Sequence, residues 1–107
     1  MEKSDAEYLR AAFKDLINYG ADNPLEPIDP LSYRTPEGDS CLHIAAMRGD
    51  LRAVQLLLNA GLDANLLGDL GNTPLHYALI AAHQDVVEHL VSRGANPYIV
   101  NELGKKP

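Results

Sequence analysis

The chain has 107 residues with a hydrophobic fraction of 46%, which allows one compact domain or a short array of repeats and argues against general disorder. Its net charge of −6 argues against a nucleic-acid partner, because a phosphate backbone requires a surface rich in Lys and Arg. The single cysteine cannot form an internal disulfide. No apolar run approaches the ~20 residues of a membrane span, and the N-terminus lacks the layout of a signal peptide. We therefore expect a cytoplasmic protein without membrane association.

The first predicted element is a helix from Ser4 to Tyr19. Ser4 and Glu7 have the spacing of a capping box, and the apolar residues that follow recur at helical intervals. Gly20 would end this helix. When Gly20 is aligned with Gly61, the residues Phe13, Leu16 and Ile17 align with Val54, Leu57 and Leu58. The latter three form the apolar stripe of a later predicted helix. We therefore expect this helix to act as an N-terminal cap.

A proline-rich connection follows the predicted cap. Residues 23–36 contain four prolines, which exclude a helix and disfavour a central strand. The connection either packs over the cap or forms a binding loop. The alternation of its prolines with Leu25, Ile28 and Leu31 favours packing.

Two predicted helices then form one unit. Ser40 can cap the first helix, which would run to Arg48, and Gly49 can adopt the left-handed turn after it. Asp50 can cap the second helix, where its charge suits the helix dipole. Cys41, at the start of the first helix, is expected to be a small buried thiol without a reactive role.

A second unit of the same design runs from Gly71 to Gly94. Thr73 and Pro74 open its first helix. Ala82 stands in the turn where the first unit has Gly49, and a Cβ in a left-handed turn costs on the order of 1 kcal/mol. His89 replaces Leu56 of the first unit, so an apolar position has become titratable.

The two units are separated by a fixed period. Gly38 and Gly71 stand 33 positions apart, as do His43 and His76, and a third copy begins at Gly104. A period of this size is typical of a solenoid of repeated supersecondary units. With its complete Gly-x-Thr-Pro-Leu-His motif at Gly71–His76, the chain resembles the ankyrin repeat family.

This resemblance implies an all-α ankyrin-repeat solenoid, in which stacked helix-turn-helix units carry short hairpin fingers at residues 32–39, 66–72 and 98–105. The chain is then a single ankyrin-repeat domain over residues 1–107: a capping helix and proline-rich connection over 1–37, repeats over 38–70 and 71–103, and the start of a truncated repeat over 104–107. On this division nothing in the chain covers the end of the second repeat. Either the chain is cut at Pro107, or another copy or a partner covers this end; in a dimer, the second copy would cover Leu79, Ile80 and Val91.

The histidines do not indicate a metal site. His43 and His76 share one motif position in adjacent units, which lie about 8–10 Å apart, whereas a zinc ion needs each nitrogen at ~2.0–2.1 Å. In the ankyrin family this histidine bonds the turn backbone of its own repeat. The serine, cysteine and carboxylate residues form no nucleophilic triad. We expect no metal, no cofactor and no catalytic residue.

The resemblance implies protein binding through the finger tips and the exposed face of each first helix. Several of these positions are apolar where solvent normally favours polar residues, which marks an interaction site unless they fold back over the loops or meet a further repeat. We expect a non-catalytic module that binds another protein, and the negative net charge permits attraction to a basic one. The alternative is an inhibitor or immunity-type protein that occludes an enzyme or toxin. The candidate residues are Arg34, Pro36, Glu37, Asp39, Met47, Arg48, Leu67, Asp69, Leu70, Asn72, Ile80, Ala81, Val100, Glu102, Leu103 and Lys105.

Overall fold

The computed structural model describes residues 1–107 as five α-helices joined by turns, with no β-strand. One isolated antiparallel bridge, between Arg34 and Ser40, is the only β-type pairing. A short 3₁₀ turn, Asp69–Gly71, lies between the third and fourth helices. The helices are α1 (Lys3–Ala12), α2 (Cys41–Arg48), α3 (Leu51–Asn59), α4 (Pro74–Ile80) and α5 (Gln84–Ser92).

The helices stack in two layers. Each repeat is a helix pair, α2 with α3 and α4 with α5. Across the repeats α2 packs against α4 in one layer, and α3 packs against both α1 and α5 in the other. The molecule measures 38 × 28 × 21 Å. The predicted all-α solenoid is therefore confirmed.

Helix boundaries follow the predicted caps. The Ser40 hydroxyl accepts a hydrogen bond from the His43 amide, and Thr73 does the same for His76. Asp50 accepts from the Ala53 amide at the start of α3. Each of these side chains satisfies a backbone donor that has no partner within its helix.

The turn between the two helices of each repeat is left-handed. Gly49 has φ +73° and Ala82, at the same place in the next repeat, has φ +60°. The predicted left-handed turn at Gly49 is confirmed, and the same conformation recurs at Ala82. Ala82 holds a conformation that an L side chain disfavours.

The core runs continuously from the N-terminal helix to α5, and Cys41 lies within it, fully buried. Burial raises the pKa of the Cys41 thiol to about 12, so the thiolate is suppressed and the predicted structural role is supported. Seventeen buried apolar residues make up the core: Leu9, Phe13, Ile28, Cys41, Leu42, Ala45, Ala46, Ala53, Val54, Leu57, Leu58, Ala64, Leu75, Ala78, Val86, Leu90 and Ala95.

The N-terminal helix differs from its prediction at both ends. It begins at Lys3 after Glu2, with no side-chain cap, so the predicted Ser4–Glu7 capping box is wrong. It ends at Ala12, seven residues before Tyr19. Arg48 donates to the Ala12 carbonyl at 2.9 Å and to the Asp15 carboxylate at 2.6 Å. A side chain from α2 therefore satisfies the end of α1 and stabilises the turn that follows.

The early end of α1 changes which residues pack. Leu9 and Phe13 are buried, whereas Ile17 is 47% exposed and its aligned counterpart Leu58 only 5%, so the alignment is wrong at Ile17. The Tyr8 hydroxyl donates to the Asp50 carboxylate at 2.7 Å. This bond joins α1 to the residue that caps α3.

The proline-rich connection contributes one residue to the core, Ile28, while Leu25 is 88% exposed. Asp29 accepts from the Leu31 amide at 3.0 Å and shapes the turn locally. Packing over the cap therefore involves Ile28 and not the whole segment. None of the helices has the length and apolar character needed to cross a bilayer.

Candidate protein-binding face

Three finger turns project beside the inner helices α2 and α4, and they share one hydrogen-bond pattern. In each, a backbone amide donates to the carbonyl four residues later, and an amide near the tip donates back to the first residue's carbonyl. The predicted fingers are thus present at a spacing of 33 residues, as tight turns and not as extended hairpins. The bonds to the carbonyl four residues later run from the Thr35 amide to Asp39 (2.8 Å), from the Gly68 amide to Asn72 (2.8 Å) and from the Asn101 amide to Lys105 (2.9 Å).

The two repeated histidines connect each inner helix to the next finger. His43 Nδ1 lies 3.1 Å from the Ser40 amide, and because that amide can only donate, Nδ1 is the acceptor and Nε2 carries the proton. Nε2 then donates to the carbonyls of Leu66 at 2.8 Å and Asn72 at 2.9 Å. The prediction that the ring bonds only its own repeat is half right, since Nδ1 does so and Nε2 reaches the following finger.

His76 repeats the arrangement one unit later. Its Nδ1 accepts from the Thr73 amide at 3.0 Å, and its Nε2 donates to the Lys105 carbonyl at 2.9 Å. The matching places of His43 and His76 in adjacent repeats are as predicted. Burial lowers the pKa of His43 below its ordinary value, because a second ring proton would have to face the Ser40 amide in a poorly solvated site.

Asp39 and Tyr77 connect the first finger to the second inner helix. The Tyr77 hydroxyl donates to the Asp39 carboxylate at 2.9 Å, and the Asp69 amide donates to the same carboxylate at 2.9 Å. Burial and this hydrogen bond raise the pKa of Tyr77 to about 12, so its hydroxyl remains a donor. The Tyr77 ring also meets His43 edge to face, with 5.6 Å between the ring centres.

Neighbouring fingers are bonded to one another as well. Arg34 donates to the Gly38 carbonyl at 2.7 Å and to the Leu67 carbonyl at 3.1 Å, which joins the first finger to the second. The Glu102 amide donates to the Leu70 carbonyl at 2.9 Å, which joins the second finger to the third. The three fingers therefore form one continuous, cross-bonded strip.

These bonds divide the predicted polar residues into two groups. Arg34, Asp39 and Arg48 make hydrogen bonds inside the molecule, and Asn72 is buried, its side-chain oxygen accepting from Asn101. In contrast, the other charged residues of the predicted set make no ion pair within the chain, and those that are exposed are Glu37, Glu102 and Lys105. Asp69 is half-buried, and Ala81 is half-buried at the end of α4.

The predicted apolar residues are exposed on this side of the molecule. None of them folds back over the loops sufficiently to be shielded from solvent. Their exposed fractions are 39% for Met47, 54% for Leu67, 45% for Leu70, 70% for Ile80, 53% for Val100 and 65% for Leu103.

The repeat symmetry tests whether a missing neighbour explains this exposure. Met47 is exposed although a complete repeat packs after it in the stack. The exposure of its counterpart Ile80 is therefore explained by its position in the repeat and does not require a missing neighbour. Leu79 and Val91 behave differently, because they are 42% and 50% exposed. Their counterparts in the first repeat, Ala46 and Leu58, are only 0% and 5% exposed. Leu79 and Val91 therefore belong to the open end of the stack, while Met47 and Ile80 belong to the face beside the fingers.

Two features of this face were not predicted. Leu70 has a left-handed backbone, with φ +55°, at the tip of the second finger. Its counterpart in the first finger is Glu37, which gives no sequence signal for such a conformation. The role of Tyr77 was also missed, because its partner Asp39 lies 38 positions away and only folding brings them together.

The remaining histidines differ from the repeated pair. His83 packs on Gly49 and its Nε2 lies 3.1 Å from the Met47 carbonyl. His89 is half-buried, and its Nε2 is buried without a hydrogen-bond partner. No three His, Cys, Asp or Glu side chains are grouped as metal ligands.

Comparison with known proteins agrees with the architecture. The family model for ankyrin repeats (3 copies) matches residues 5–101. An ankyrin and IPT/TIG repeat-containing protein of Schizosaccharomyces pombe is 46% identical over 70 residues, which is 65% of this chain and 6% of that protein. Human protein phosphatase 1 regulatory subunit 27 is 36% identical over 72 residues, 67% of this chain and 47% of the relative.

Human B-cell lymphoma 3 protein is 36% identical over 89 residues, 78% of this chain and 20% of the relative. The chain thus spans less than half the length of each of these relatives. The family match covers nearly the whole chain, includes most of α1, and coincides with the stacked helix pairs and the repeated histidine contacts. The chain belongs to the ankyrin repeat family, whose repeats are in general protein–protein interaction modules.

Proposed function

We propose that this chain is a non-catalytic binding module that docks on a protein partner through the finger strip and the exposed faces of α2 and α4. The observation that carries this proposal is the exposure of Met47, Leu67 and Leu70 even though each is followed by another repeat or finger. Solvent-exposed apolar residues grouped beside charged ones are typical of protein interaction sites.

The binding face is preorganised. The bonds from His43, Arg34 and the Glu102 amide hold the fingers to each other and to the inner helices. Because little ordering remains to be done on binding, more of the contact energy is available as affinity. In this proposal Met47, Leu67, Leu70 and Ile80 are the apolar anchors, and the acidic groups beside them favour a partner with a basic surface.

Binding at this face is tested by reversing its apolar character. The Leu67→Glu/Leu70→Glu variant should lose at least about tenfold in affinity for a partner identified by cross-linking and mass spectrometry. The matched control is Leu79→Glu/Val91→Glu, which introduces the same charges at positions of similar exposure on the open end. Undiminished binding by the first variant, with its helical circular dichroism intact, removes the proposed face.

The control variant also reports on the open end. If Leu79 and Val91 are covered by a second copy of the chain, light scattering should show a dimer that the glutamate substitutions convert to a monomer. A wild-type monomer at high concentration would argue against self-association through this end.

A second candidate function is control of an enzyme by occlusion. It is favoured by the similarity to protein phosphatase 1 regulatory subunit 27, a protein whose name assigns it to a phosphatase. In this case the captured partner should be an enzyme whose turnover falls when the chain is added, and Leu67→Glu/Leu70→Glu should restore it. A partner without enzymatic activity would leave only the first function.

A further inference from the structure

A small cavity of about 180 Å³ opens between α2 and α4, beside the first finger. It combines a carboxylate, an aromatic ring and apolar side chains within one concavity on the proposed docking face. Its lining residues are Asp39, His43, Ile44, Met47, Arg48 and Tyr77.

The carboxylate of Asp39 is fixed in this cavity. Oδ1 accepts from the Asp69 amide and the Tyr77 hydroxyl, and Oδ2 lies 3.0 Å from the same hydroxyl. A carboxylate has about four acceptor sites, so Oδ2 keeps capacity for a further donor. Gly68 packs directly against Oδ1 and leaves no room for a side chain on that side. Asp39 is therefore oriented before any ligand arrives.

The half-buried charge of Asp39 has no counter-ion in the molecule. The two ion pairs are Arg48–Asp15 and Arg52–Asp5. Arg48, although it lines the cavity, is held by the Ala12 carbonyl and Asp15. A carboxylate with a free acceptor site and no ion-pair partner can accept a charge-assisted hydrogen bond from a cationic ligand.

The other walls suit the rest of such a ligand. A cation near the face of Tyr77 gains from the charge distribution of the ring. The methylene stem of a lysine or arginine can pack on Met47 and Ile44 while its charged end stays at the carboxylate. His43 is neutral and uses Nε2 to bind backbone carbonyls, so it presents no competing charge.

We propose that this cavity receives the cationic side chain, lysine or arginine, of the partner protein. The proposal rests on the docking face described under Proposed function and adds the chemistry of one contact. The wider charge distribution agrees, because no Lys or Arg occurs between Arg52 and Arg93 and the net charge is −6.

The cavity has no equivalent in the second repeat. Asn72 replaces Asp39, and its side-chain oxygen already accepts from Asn101 at 2.8 Å. Ile80 replaces Met47, and Ala81 replaces Arg48. The chain thus has a single position of this kind, which would fix the register of the partner along the fingers.

The test uses three blocked tripeptides, acetyl-Ala-X-Ala-amide with X as lysine, arginine or norleucine. They are titrated into the ¹⁵N-labelled chain at low salt and followed by NMR. The lysine and arginine peptides should give saturable shifts at the amides of Asp39, Met47 and Tyr77, and the uncharged norleucine peptide should bind at least about fivefold more weakly. Asp39→Asn, which keeps an oxygen for Tyr77 and the Asp69 amide, should weaken lysine-peptide binding by a similar factor. Glu88→Gln, which removes an exposed carboxylate on α5 outside the cavity, is the matched control and should leave it within about twofold.

Equal binding of the norleucine and lysine peptides to the wild-type chain overturns the proposal without the need for a variant. Absence of saturable shifts, or undiminished binding by Asp39→Asn, overturns it too. Either result leaves the docking face to be judged separately by the Leu67→Glu/Leu70→Glu comparison. Undiminished partner capture by Leu67→Glu/Leu70→Glu, together with specific lysine-peptide binding, would instead remove the docking face and leave the cavity's preference for a cation standing.

Discussion

The left-handed turn at Ala82 predicts that removing one methyl group makes the protein more stable. Ala82 has φ +60° at the turn between α4 and α5, where the preceding repeat has Gly49 at φ +73°. An L residue in this region costs about 1–2 kcal/mol. Glycine removes that cost, although its greater freedom in the unfolded chain returns about 0.5–1 kcal/mol.

The net result for Ala82→Gly is a gain of about 0.5–1 kcal/mol in the free energy of unfolding. For a chain of this size that gain corresponds to a rise in Tm of roughly 2–6 °C. Denaturation by guanidinium chloride, followed by circular dichroism, measures it as a higher midpoint with an unchanged m-value. A variant that is equally or less stable at the same m-value would refute the reasoning, since Ala82 would then carry no backbone strain.

Two controls bracket this prediction. Ala81→Gly, one residue earlier, alters a residue with φ −84° and should lower stability by about 0.5–1 kcal/mol. Gly49→Ala makes the reverse change and also places its Cβ 2.5 Å from His83 Nδ1. It should therefore lower stability by about 1–3 kcal/mol.

Two further predictions concern the contacts around His43. Burial lowers the folded pKa of His43, so the contribution of the neutral ring to stability is complete above the unfolded pKa of about 6.5. This contribution is lost as the pH falls below about 6.5, by up to about 1.4 kcal/mol per pH unit. An NMR titration of the ring that gives a folded pKa at or above about 6.5 would contradict this prediction. Gly68→Ala places a Cβ 2.8 Å from His43 Nε2 and against the Asp39 carboxylate, and it should lower the free energy of unfolding, measured with urea, by about 1–3 kcal/mol. In the control Gly20→Ala the nearest atom to the new Cβ is 3.8 Å away, and the free energy of unfolding should change by no more than about 0.5 kcal/mol.

The parts of the fold that depend on local or periodic signals could be predicted from the sequence. The spacing of 33 residues, the caps at Ser40 and Thr73 and the turn at Gly49 each rest on residues close together in the chain. The end of α1 could not be predicted, because the group that satisfies the Ala12 carbonyl is Arg48, 36 positions later. An apolar stripe continues past Ala12 in the sequence, but the helix does not.

The proposed docking face shows the same division. Repeat alignment was sufficient to predict that Met47 and Ile80 are exposed, and both are exposed in the structure. It could not show that Arg34 and Asp39 already bond other fingers, because those partners come from different repeats. Local patterns therefore predicted the position of each residue, while folding determined which polar groups remain available to a partner.

The contacts between fingers have a consequence for how such a surface can diversify. The acceptors at Leu66, Leu67 and Leu70 are main-chain oxygens, so these hydrogen bonds need no particular side chain, only one that tolerates the left-handed backbone at Leu70. The side chains there can accordingly be exchanged without dismantling the scaffold beneath them. Under the proposed function, mutation at these sites would redirect the protein towards a new target while the architecture that presents them persists.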